Sequence, residues 1–466
     1  MRKILYALLF LSITGCGDDS PGSDTTSTGS SATTSSGSSG GATSSSGSEA
    51  SGTGGGGGGG GGNDAGGGGA GATGGAGGTG GEGGGDGGSS GERRWVGTWT
   101  TGPQLTETNN NPPAPGLANN TLRQVIYTSI GGSNVRLLLS NEFGNGPVTM
   151  SSVHIADSTN ADGINADTDT ALTFEGSASV TIPMGKSVFS DPIDYDLKPL
   201  TKLAVTIHFG AVPSGITGHP GSRTNSYIQT GNGVSSPTLT SPVSTAHWYY
   251  ITGLDVMADP TAHAIAILGD SITDGRGSVT DGNTRWPDFL SRRLRANPGT
   301  EDVAVLNLGI GGGTVLAGGL GPTAKLRYQR DILDQRGARW AVIFIGVNDI
   351  GGDSAPNVAD ALITAYQEFI DKAHAKGMLV YGIPILPFKG NGYYSDAHEA
   401  ARQKVNTWIR TSGKYDAVID LDPAVVDPND PAKLQDDLDF ENDGLHLNPT
   451  GLEAMADAVD LDLFTK

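Results

Sequence analysis

The sequence predicts two folded regions of different class, an all-β sandwich over residues 93–258 and an α/β fold over residues 259–466. Up to residue 258, short β-like runs alternate with Gly, Pro, Asn and Asp, and no apolar stripe of helical period interrupts them. After Pro260, apolar strand-like runs alternate with amphipathic stretches. This second pattern is typical of a parallel sheet with helices on both faces.

The first 16 residues have the pattern of a bacterial lipoprotein signal peptide. Two basic residues precede the apolar run 4–13, which is too short to span a bilayer. The following Ile13-Thr-Gly-Cys16 resembles a lipoprotein box in which Cys16 is lipidated, and an ordinary secretory signal with an incidental cysteine is the alternative. We expect an exported protein, held at a bacterial outer membrane or cell surface by this lipid anchor.

The composition of residues 17–92 predicts a disordered linker. Between positions 17 and 91 the chain has no Lys, Arg, aromatic residue, Val, Ile, Leu or Met, and nearly pure Gly follows a Ser/Thr-rich stretch. Such a segment cannot bury enough apolar surface to offset its ordering entropy. A Gly-rich coil of this length has a root-mean-square span of roughly 50 Å, so we expect a tether.

The composition excludes several classes of partner and site. The formal net charge is −20 at pH 7, from 29 basic and 49 acidic residues, and an acidic surface is a poor partner for nucleic acid or anionic membranes. We therefore expect no nucleic-acid binding and no membrane contact except through the anchor. Because Cys16 is the sole cysteine, a disulfide framework and a Cys-based zinc site are excluded.

The strands of the β region are predicted from alternation of apolar and polar residues. In the run 203–209, Leu203, Val205, Ile207 and Phe209 share one face. Similar runs cover Gln124 to Ile130, Val135 to Leu139, Val153 to Ala156, Val180 to Pro183 and His247 to Thr252. Many short strands with frequent turn signals favour an antiparallel sandwich of the jelly-roll kind.

The α/β region is predicted to hold five strands and their connecting helices. The strands are expected at 264–268, 303–307, 340–345, 378–383 and 417–421. The helices are expected at 286–296, 323–335, 358–376 and 395–412, with a final amphipathic stretch at 449–464. In such sheets the binding crevice lies beyond the carboxyl ends of the strands.

Small and polar motifs follow these strands. Ser271 stands where the first strand stops, beside the unpaired N–H groups of a helix start, which suits a nucleophile. By itself this stretch is an equally good turn with a serine N-cap. The other motifs are Asn307-Leu-Gly-Ile-Gly-Gly-Gly-Thr314, Gly346-Val-Asn-Asp349 and Asp443-Gly-Leu-His-Leu-Asn448.

These four blocks, in this order, resemble the SGNH or GDSL hydrolases over roughly residues 260 to 466. The resemblance implies a flavodoxin-like three-layer α/β/α domain with a five-stranded parallel sheet. It also implies a serine esterase that uses no cofactor and no metal. In that family Ser271 would be the nucleophile, His446 the general base, and Asp443 the group that fixes the tautomer of the imidazole.

The resemblance also implies an oxyanion hole, formed by the amides of Ser271 and Gly312 and by the side chain of Asn348. The triple Gly311-Gly312-Gly313 leaves the register open by one position. We expect Asp270 and Asp349 to connect loops and not to act chemically.

Other catalytic motifs fit less well. The glycine-rich loop 309–314 lacks the last glycine of a dinucleotide-binding GxGxxG, and residues 269–273 are not the GxSxG elbow of α/β-hydrolases. No cluster of His and carboxylates predicts a catalytic metal. The acidic stretch 427–443 permits calcium binding, but we expect a solvated loop.

The β region extends the resemblance to a bacterial two-domain subgroup of arylesterases or acylhydrolases. The residues that carry it are Trp95-Val-Gly-Thr-Trp99, Leu122-Arg-Gln-Val125, Val135 to Gly144, Ser190-Asp-Pro192 and Arg285-Trp-Pro-Asp288. We expect hydrolysis of small carboxylic esters, including O-acetyl groups of polysaccharides. The alternatives are a lipase for longer acyl chains and a non-catalytic glycan-binding surface lipoprotein. Candidates for a β-region contribution to the pocket are Trp248, Tyr249 and His219.

Overall fold

The computed structural model describes residues 92–465. The expected signal peptide 1–16, the lipidation site Cys16 and the linker up to residue 91 lie outside the described residues. Within the described range, none of the helices combines the length and the apolar composition that a membrane crossing requires.

Residues 94–258 form fifteen strands and two short 3₁₀ turns at Thr108–Asn110 and Ala166–Thr168. The strands are β1 (Arg94–Thr100), β2 (Gln104–Leu105), β3 (Asn120–Tyr127), β4 (Gly132–Ser140), β5 (Val148–Asp157), β6 (Thr170–Leu172), β7 (Val180–Ile182), β8 (Ser187–Phe189), β9 (Ile193–Leu197), β10 (Lys202–Phe209), β11 (Thr217–His219), β12 (Ser226–Thr230), β13 (Val243–Thr245), β14 (Trp248–Tyr249) and β15 (Ile251–Ala258).

These strands pair antiparallel in three sheets. The first has the order β1-β15-β4-β8 with β9 also on β4, and the second has the order β13-β12-β3-β10-β5-β6 with β7 also on β5. The third is a small sheet of β14, β11 and β2. The alternation of apolar and polar residues fixes the register in which β10 pairs with its neighbours, because a shift by one residue would expose its apolar face. That face is buried at Leu203, Val205, Ile207 and Phe209.

Residues 263–464 alternate strands and helices. The strands are β16 (His263–Gly269), β17 (Val303–Gly309), β18 (Ala338–Phe344), β19 (Leu379–Gly382) and β20 (Ala417–Val418). The helices are α1 (Ser271–Asp274), α2 (Trp286–Ala296), α3 (Ala324–Tyr328), α4 (Val347–Gly351), α5 (Val358–Ala375), α6 (Asp396–Thr411), α7 (Asp422–Val425) and α8 (Pro449–Asp457). A π-helical turn (Gln329–Leu333) follows α3 and a 3₁₀ turn (Leu461–Phe464) follows α8.

The five strands β16 to β20 form one parallel sheet in the order β17-β16-β18-β19-β20. Numbered from the first strand of the region, this is the order 2-1-3-4-5 of doubly wound sheets. Ile265 and Ile267 of β16 pack in one apolar cluster with α2 and α8, whereas Ala266 and Leu268 pack in the other with α5. Both faces of the sheet are therefore covered, as the α/β prediction requires.

The hydrophobic core continues across the expected boundary at residue 258. Val96 of β1 and Leu306 of β17 are both fully buried in one cluster. A Cβ on Gly97 would lie 3.1 Å from the Leu306 side chain, and the Gly97 amide donates to the carbonyl of Arg336 at 3.0 Å. The antiparallel strands thus pack directly against the parallel sheet.

Three predicted elements of the α/β region differ in extent from the structure. The fifth strand is only Ala417–Val418, because Arg410 binds Asp420 and Asp422 and the chain turns into α7 there. The predicted helix 323–335 divides into α3 and the π-helical turn. The predicted stretch 449–464 divides because Asp460 caps the separate 3₁₀ turn, accepting from the Asp462 amide at 3.0 Å.

Candidate active site

The serine at the end of β16 is held by a tight strand-to-helix turn. Asp270 is the N-cap of α1, and its carboxylate accepts from the Ile272 amide at 3.1 Å. Ser271 is the first residue of the helix, where backbone N–H groups have no intrahelical acceptor. A Cβ on Gly309 would lie 2.3 Å from the Asp274 amide, so only glycine lets β17 approach α1 this closely.

The structure brings Ser271, His446 and Asp443 into one hydrogen-bonded chain. The Ser271 hydroxyl lies 2.8 Å from Nε2 of His446, and Nδ1 of His446 lies 2.7 Å from Oδ2 of Asp443. The other oxygen of Asp443 accepts from the amides of Leu445 and His446 at 2.9 and 2.8 Å. The carboxylate therefore fixes both the loop and the imidazole ring.

Burial and neighbouring charges set the ionisation of this histidine. Burial lowers the pKa of His446 below its ordinary value, and the nearby cations Arg276 and Arg223 act in the same direction against Asp443. Burial opposes ionisation of Asp443, but the hydrogen bonds from His446 outweigh it, so the pKa of Asp443 is lowered. A neutral imidazole beside an ionised carboxylate can accept the serine proton.

The glycine-rich turn after β17 presents backbone amides to the same crevice. The Gly313 amide donates to the carbonyl of Ile310 at 2.9 Å and is already engaged. For the amides of Gly311 and Gly312, residues 92–465 offer no hydrogen-bond acceptor. Gly312 also has a φ of +66°, a conformation that other residues adopt only with strain. Either of these two amides can donate to a bound anion.

Asn348, at the start of α4, reaches the same turn. Its Nδ2 donates one hydrogen bond to the Gly313 carbonyl at 3.0 Å, which leaves the second N–H of the amide for another acceptor. The hydroxyl of Tyr393 donates to Oδ1 of Asn348 at 3.2 Å. This contact fixes which end of the side-chain amide faces the turn, and no sequence motif marked Tyr393.

Of the two aspartates that we expected to connect loops, Asp349 does so, whereas the Asp270 side chain caps α1. Asp349 accepts from the amides of Val315 and Leu316 at 2.8 and 2.9 Å, which joins the turn after β17 to α4. Burial raises the pKa of Asp349 to about 6. Burial likewise raises the pKa of Asp270 to about 7. Neither carboxylate contacts Ser271 or His446 through its side chain.

The antiparallel region contributes to the support of α1. Nε2 of His219 lies 2.8 Å from Oδ1 of Asp274, the last residue of α1, and both side chains are almost fully buried. Trp248 stacks on the His219 ring, with ring centroids 5.8 Å apart. Tyr249 instead donates to the carbonyl of Asn110 at 2.8 Å, away from α1.

Pairing of histidine with aspartate is not by itself diagnostic. His154, His374 and His398 also contact aspartates, at 3.0, 2.8 and 3.2 Å. Ser235 lies 3.4 Å from His154, but it shares Nδ1 with the aspartate there. At His446 the serine and the aspartate contact different ring nitrogens, as proton transfer through the ring requires.

No group of three or more His, Cys, Asp and Glu side chains in the described range converges as metal ligands would. This includes the acidic stretch 427–443. Lys389 pairs there with Asp430 at 2.5 Å, and Lys433 pairs with Asp436.

Comparison with known proteins identifies the region that carries this site. Residues 267–454 match a family model described as the GDSL-like Lipase/Acylhydrolase family. No curated protein matches the chain. The matched range contains Ser271, Gly312, Asn348, Asp443 and His446.

Several solved structures are similar. One is a psychrotrophic esterase from Pseudoalteromonas sp., with 19% identity, coverage of 42% of this chain and 93% of that one, and a TM-score of 0.32. A GDSL-like lipase from Bacteroides thetaiotaomicron has 19% identity, coverage of 42% and 85%, and a TM-score of 0.31. A family two carbohydrate esterase from Cellvibrio japonicus has 11% identity, coverage of 80% and 97%, and a TM-score of 0.32.

The family match and the four sequence blocks agree on the same residues. Residues 267–454 form a GDSL-like lipase/acylhydrolase domain, and through this domain the protein is a hydrolase that acts on esters.

Proposed function

We propose that this protein hydrolyses small carboxylic esters through an acyl-enzyme formed on Ser271. The observation that carries the proposal is the chain of hydrogen bonds from the Ser271 hydroxyl through His446 to Asp443, with distances of 2.8 and 2.7 Å. A serine hydroxyl becomes a strong nucleophile when a neutral imidazole takes its proton.

In the first step, Ser271 attacks the ester carbonyl as its proton passes to Nε2 of His446. Asp443 stabilises the imidazolium through Nδ1 and keeps the ring in the correct tautomer. The negative charge that develops on the carbonyl oxygen accepts hydrogen bonds from the amides of Ser271 and Gly312 and from the second N–H of Asn348. The imidazolium then gives its proton to the leaving alcohol.

In the second step, water replaces the alcohol. His446 removes a proton from this water, which attacks the acyl carbonyl and releases the carboxylic acid and free Ser271. Each step begins and ends with a neutral imidazole, so the residues of the site are restored after every turnover.

The cavity beside the oxyanion groups favours substrates with short acyl chains. It has a volume of about 260 Å³ and includes Gly312, Thr314, Asn348 and Tyr393. The rest of its wall is mostly glycine, with one alanine and one serine. A long acyl chain gains affinity by burying apolar area, and this wall offers few carbon-rich side chains. We therefore favour acetyl and similar esters over long-chain lipids.

We further propose that O-acetyl groups on polysaccharides are natural substrates, with the antiparallel region acting as a sandwich-like accessory domain. The support is the resemblance of the β region to that of two-domain bacterial esterases. The signal-like residues 1–16, Cys16 and the Gly-rich segment would hold the enzyme at a bacterial surface. If the anchor exists, a fatty-acid probe should label the wild-type protein in cells and should not label the Cys16→Ser variant. Unchanged labelling of the variant would refute the anchor.

The esterase proposal is tested by turnover of p-nitrophenyl acetate. Ser271→Ala should reduce kcat at least about 10⁴-fold, because the nucleophile is lost while the fold remains. Ser133→Ala, which changes an exposed serine of β4, is the matched control. Full activity of the Ser271→Ala protein would refute the proposal.

The long-chain lipase remains the second candidate, and chain-length profiling separates the two. The proposed function predicts that kcat/KM for p-nitrophenyl esters falls from acetate to octanoate, because the cavity beside Asn348 offers little apolar surface. Increasing kcat/KM with chain length would favour the lipase. Acetate release from acetylated xylan tests the polysaccharide substrate directly.

A further inference from the structure

Two arginines lie beside α1, the helix that begins with Ser271. Arg223 lies in the loop between β11 and β12 of the antiparallel region, and its side chain is 3.8 Å from the carboxylate of Asp274. Arg276 follows α1 directly, and its amide donates to the carbonyl of Ser271 at 2.9 Å. Both positions therefore adjoin the nucleophile, although they come from different regions of the chain.

The guanidinium of Arg223 lacks the partners that a partly buried cation normally has. Its Nε is buried and has no hydrogen-bond partner among the residues that the structure describes. The contact with Asp274 is too long for a hydrogen bond. Arg223 also has a φ of +49°, a strained conformation for a residue with a side chain. Unsatisfied buried donors are costly, so this group gains when an acceptor binds.

Arg276 faces the histidine side of the site. Its guanidinium lies 5.4 Å from the ring centroid of Phe440, whose amide donates to the carbonyl of His446 at 2.9 Å. Its nearest carboxylate is Glu441, 4.0 Å away and 70% exposed. This is a weak, solvent-screened pair, which leaves the hydrogen-bonding capacity of Arg276 available.

Two other arginines near α1 use their terminal guanidinium nitrogens within the protein. Arg285 donates to the carbonyl of Asp274 at 3.2 Å, to the carbonyl of Ser222 and to Asp288. Arg327 donates to the carbonyls of Gly269 and Leu308 and to Asp331. These two cations connect backbone segments and are not available to a ligand.

The direction of proton transfer decides which part of the substrate meets the free arginines. His446 protonates the leaving oxygen, so the alcohol part of the ester lies on the histidine side. The acyl part lies on the side of Asn348 and Tyr393. We propose that Arg223 and Arg276 form a subsite for a carboxylate on the alcohol part, and that the preferred substrates are acyl esters of carboxylate-bearing alcohols such as acidic sugars.

This inference rests on the proposed function and narrows its substrate class. A planar guanidinium matches a carboxylate in shape and charge. The chain carries a net charge of −20, which would otherwise repel anionic substrates. Asp274 offsets part of the charge of Arg223, and Arg276, which pairs only with the exposed Glu441 among residues 92–465, adds a second positive charge.

The test compares two esters that differ in charge at one position, 4-acetoxybenzoate and its uncharged methyl ester. The measured quantity is the ratio of kcat/KM for phenol release from the anionic and neutral ester. The wild-type ratio should exceed one, and Arg223→Gln combined with Arg276→Gln should lower it about tenfold. Arg339→Gln is the matched control, because it removes the same charge at the opposite end of the sheet.

A ratio near one for the wild type, or an equal ratio in the double variant, would overturn the subsite while leaving the esterase proposal intact. Absence of hydrolysis of both esters would overturn the esterase proposal itself. If circular dichroism shows that the double variant is unfolded, the ratio measured for Arg276→Gln alone is the test. This substitution should leave the fold intact, because the Arg276 side chain is 47% exposed. That ratio should fall about threefold, and no change would count against the subsite.

Discussion

At the scale of single residues, His446 separates its two tasks between its two ring nitrogens. Nε2 contacts the Ser271 hydroxyl and Nδ1 contacts Asp443, so the ring can pass a proton on one side while it is held on the other. His446 is largely buried and has two arginines nearby, and the burial and the arginines both disfavour a positive charge on its ring. The environment therefore keeps the base neutral at lower pH than an ordinary histidine.

This predicts the acid limb of the pH profile. A base whose pKa is lowered stays unprotonated as the pH falls, so activity should be lost only below the ordinary histidine pKa of about 6.5. The measurement is kcat/KM for p-nitrophenyl acetate from pH 4 to 9. An acid limb with its midpoint at or above pH 6.5 would contradict the assignment of His446 as the base in this environment.

Tyr393 is predicted to act as a positioning residue for Asn348. Its hydroxyl donates to Oδ1 of Asn348 and so orients the amide N–H groups toward the oxyanion. Tyr393→Phe should lower kcat about fivefold with little change in KM, because one neutral hydrogen bond is lost in the transition state. Asn348→Ala should lower kcat about 10²–10³-fold, because one donor to the oxyanion is lost.

The control for this prediction is Tyr394→Phe, which removes the neighbouring hydroxyl from a ring that packs against Phe388. If both tyrosine variants lower kcat equally, or if Tyr393→Phe raises KM and leaves kcat unchanged, the orienting role is wrong.

The residues that carry motifs could be predicted, and those that support them could not. Ser271 and Asn348 stand in short blocks at strand ends, and Asp443 and His446 stand in a short block before α8, so spacing and order marked them. Tyr393 and Arg223 stand in loops without any pattern. Their partners become apparent only when segments distant in sequence are folded together.

At the scale of elements, the four-residue helix α1 depends on support from outside its own region. A helix this short has little stability of its own. Its last residue, Asp274, is buried and receives a hydrogen bond from His219 of β11, and Gly309 of β17 approaches its backbone. The position of Ser271 therefore depends on both the antiparallel strands and the parallel sheet.

Removal of His219 should destabilise the protein and slow catalysis. In His219→Ala the Asp274 carboxylate is left buried without its hydrogen bond, which should cost about 3 kcal/mol in the free energy of unfolding. Urea unfolding measures this, and the double variant with Asp274→Asn should lose much less than the sum of the single variants. His208→Ala, at a half-buried histidine of β10, is the control. Additive losses would show that the pair is not coupled.

The types of the longer elements were predictable, and their ends were not. Apolar periodicity located β16, α2, α5 and α6 to within one or two residues. The fifth strand was expected to continue to Leu421, but it stops at Val418, and Arg410 pairs with Asp420 and Asp422 where the chain turns into α7. Such long-range charge contacts leave no periodic signal in the sequence.

At the scale of the whole molecule, the antiparallel strands and the parallel sheet share one core. The change of sequence pattern near residue 258 indicated a boundary, but patterns along the chain do not show which faces meet. In the structure the Ser129 hydroxyl accepts from the Val305 amide at 3.2 Å, and Arg330 pairs with Glu142 across the same contact. A Cβ on Gly102 would lie 2.9 Å from Ile310.

Because the apolar faces are shared, residues 92–465 should unfold in one cooperative transition. Trp99 lies in the antiparallel region and Trp340 lies in the parallel sheet, and both are buried. Thermal unfolding followed by tryptophan fluorescence and by far-ultraviolet circular dichroism should give the same midpoint. Two transitions separated by several degrees would show that the two regions fold independently.

Covalent labelling by a fluorophosphonate, followed by mass spectrometry of the peptides, tests most directly whether Ser271 is an activated nucleophile. The probe reacts with a serine only when a neighbouring base activates it. The proposed mechanism predicts one stoichiometric label on Ser271, no label in Ser271→Ala, and labelling slowed at least tenfold in His446→Ala. A label on another serine, or an unlabelled Ser271 in a folded enzyme that hydrolyses esters, would contradict it.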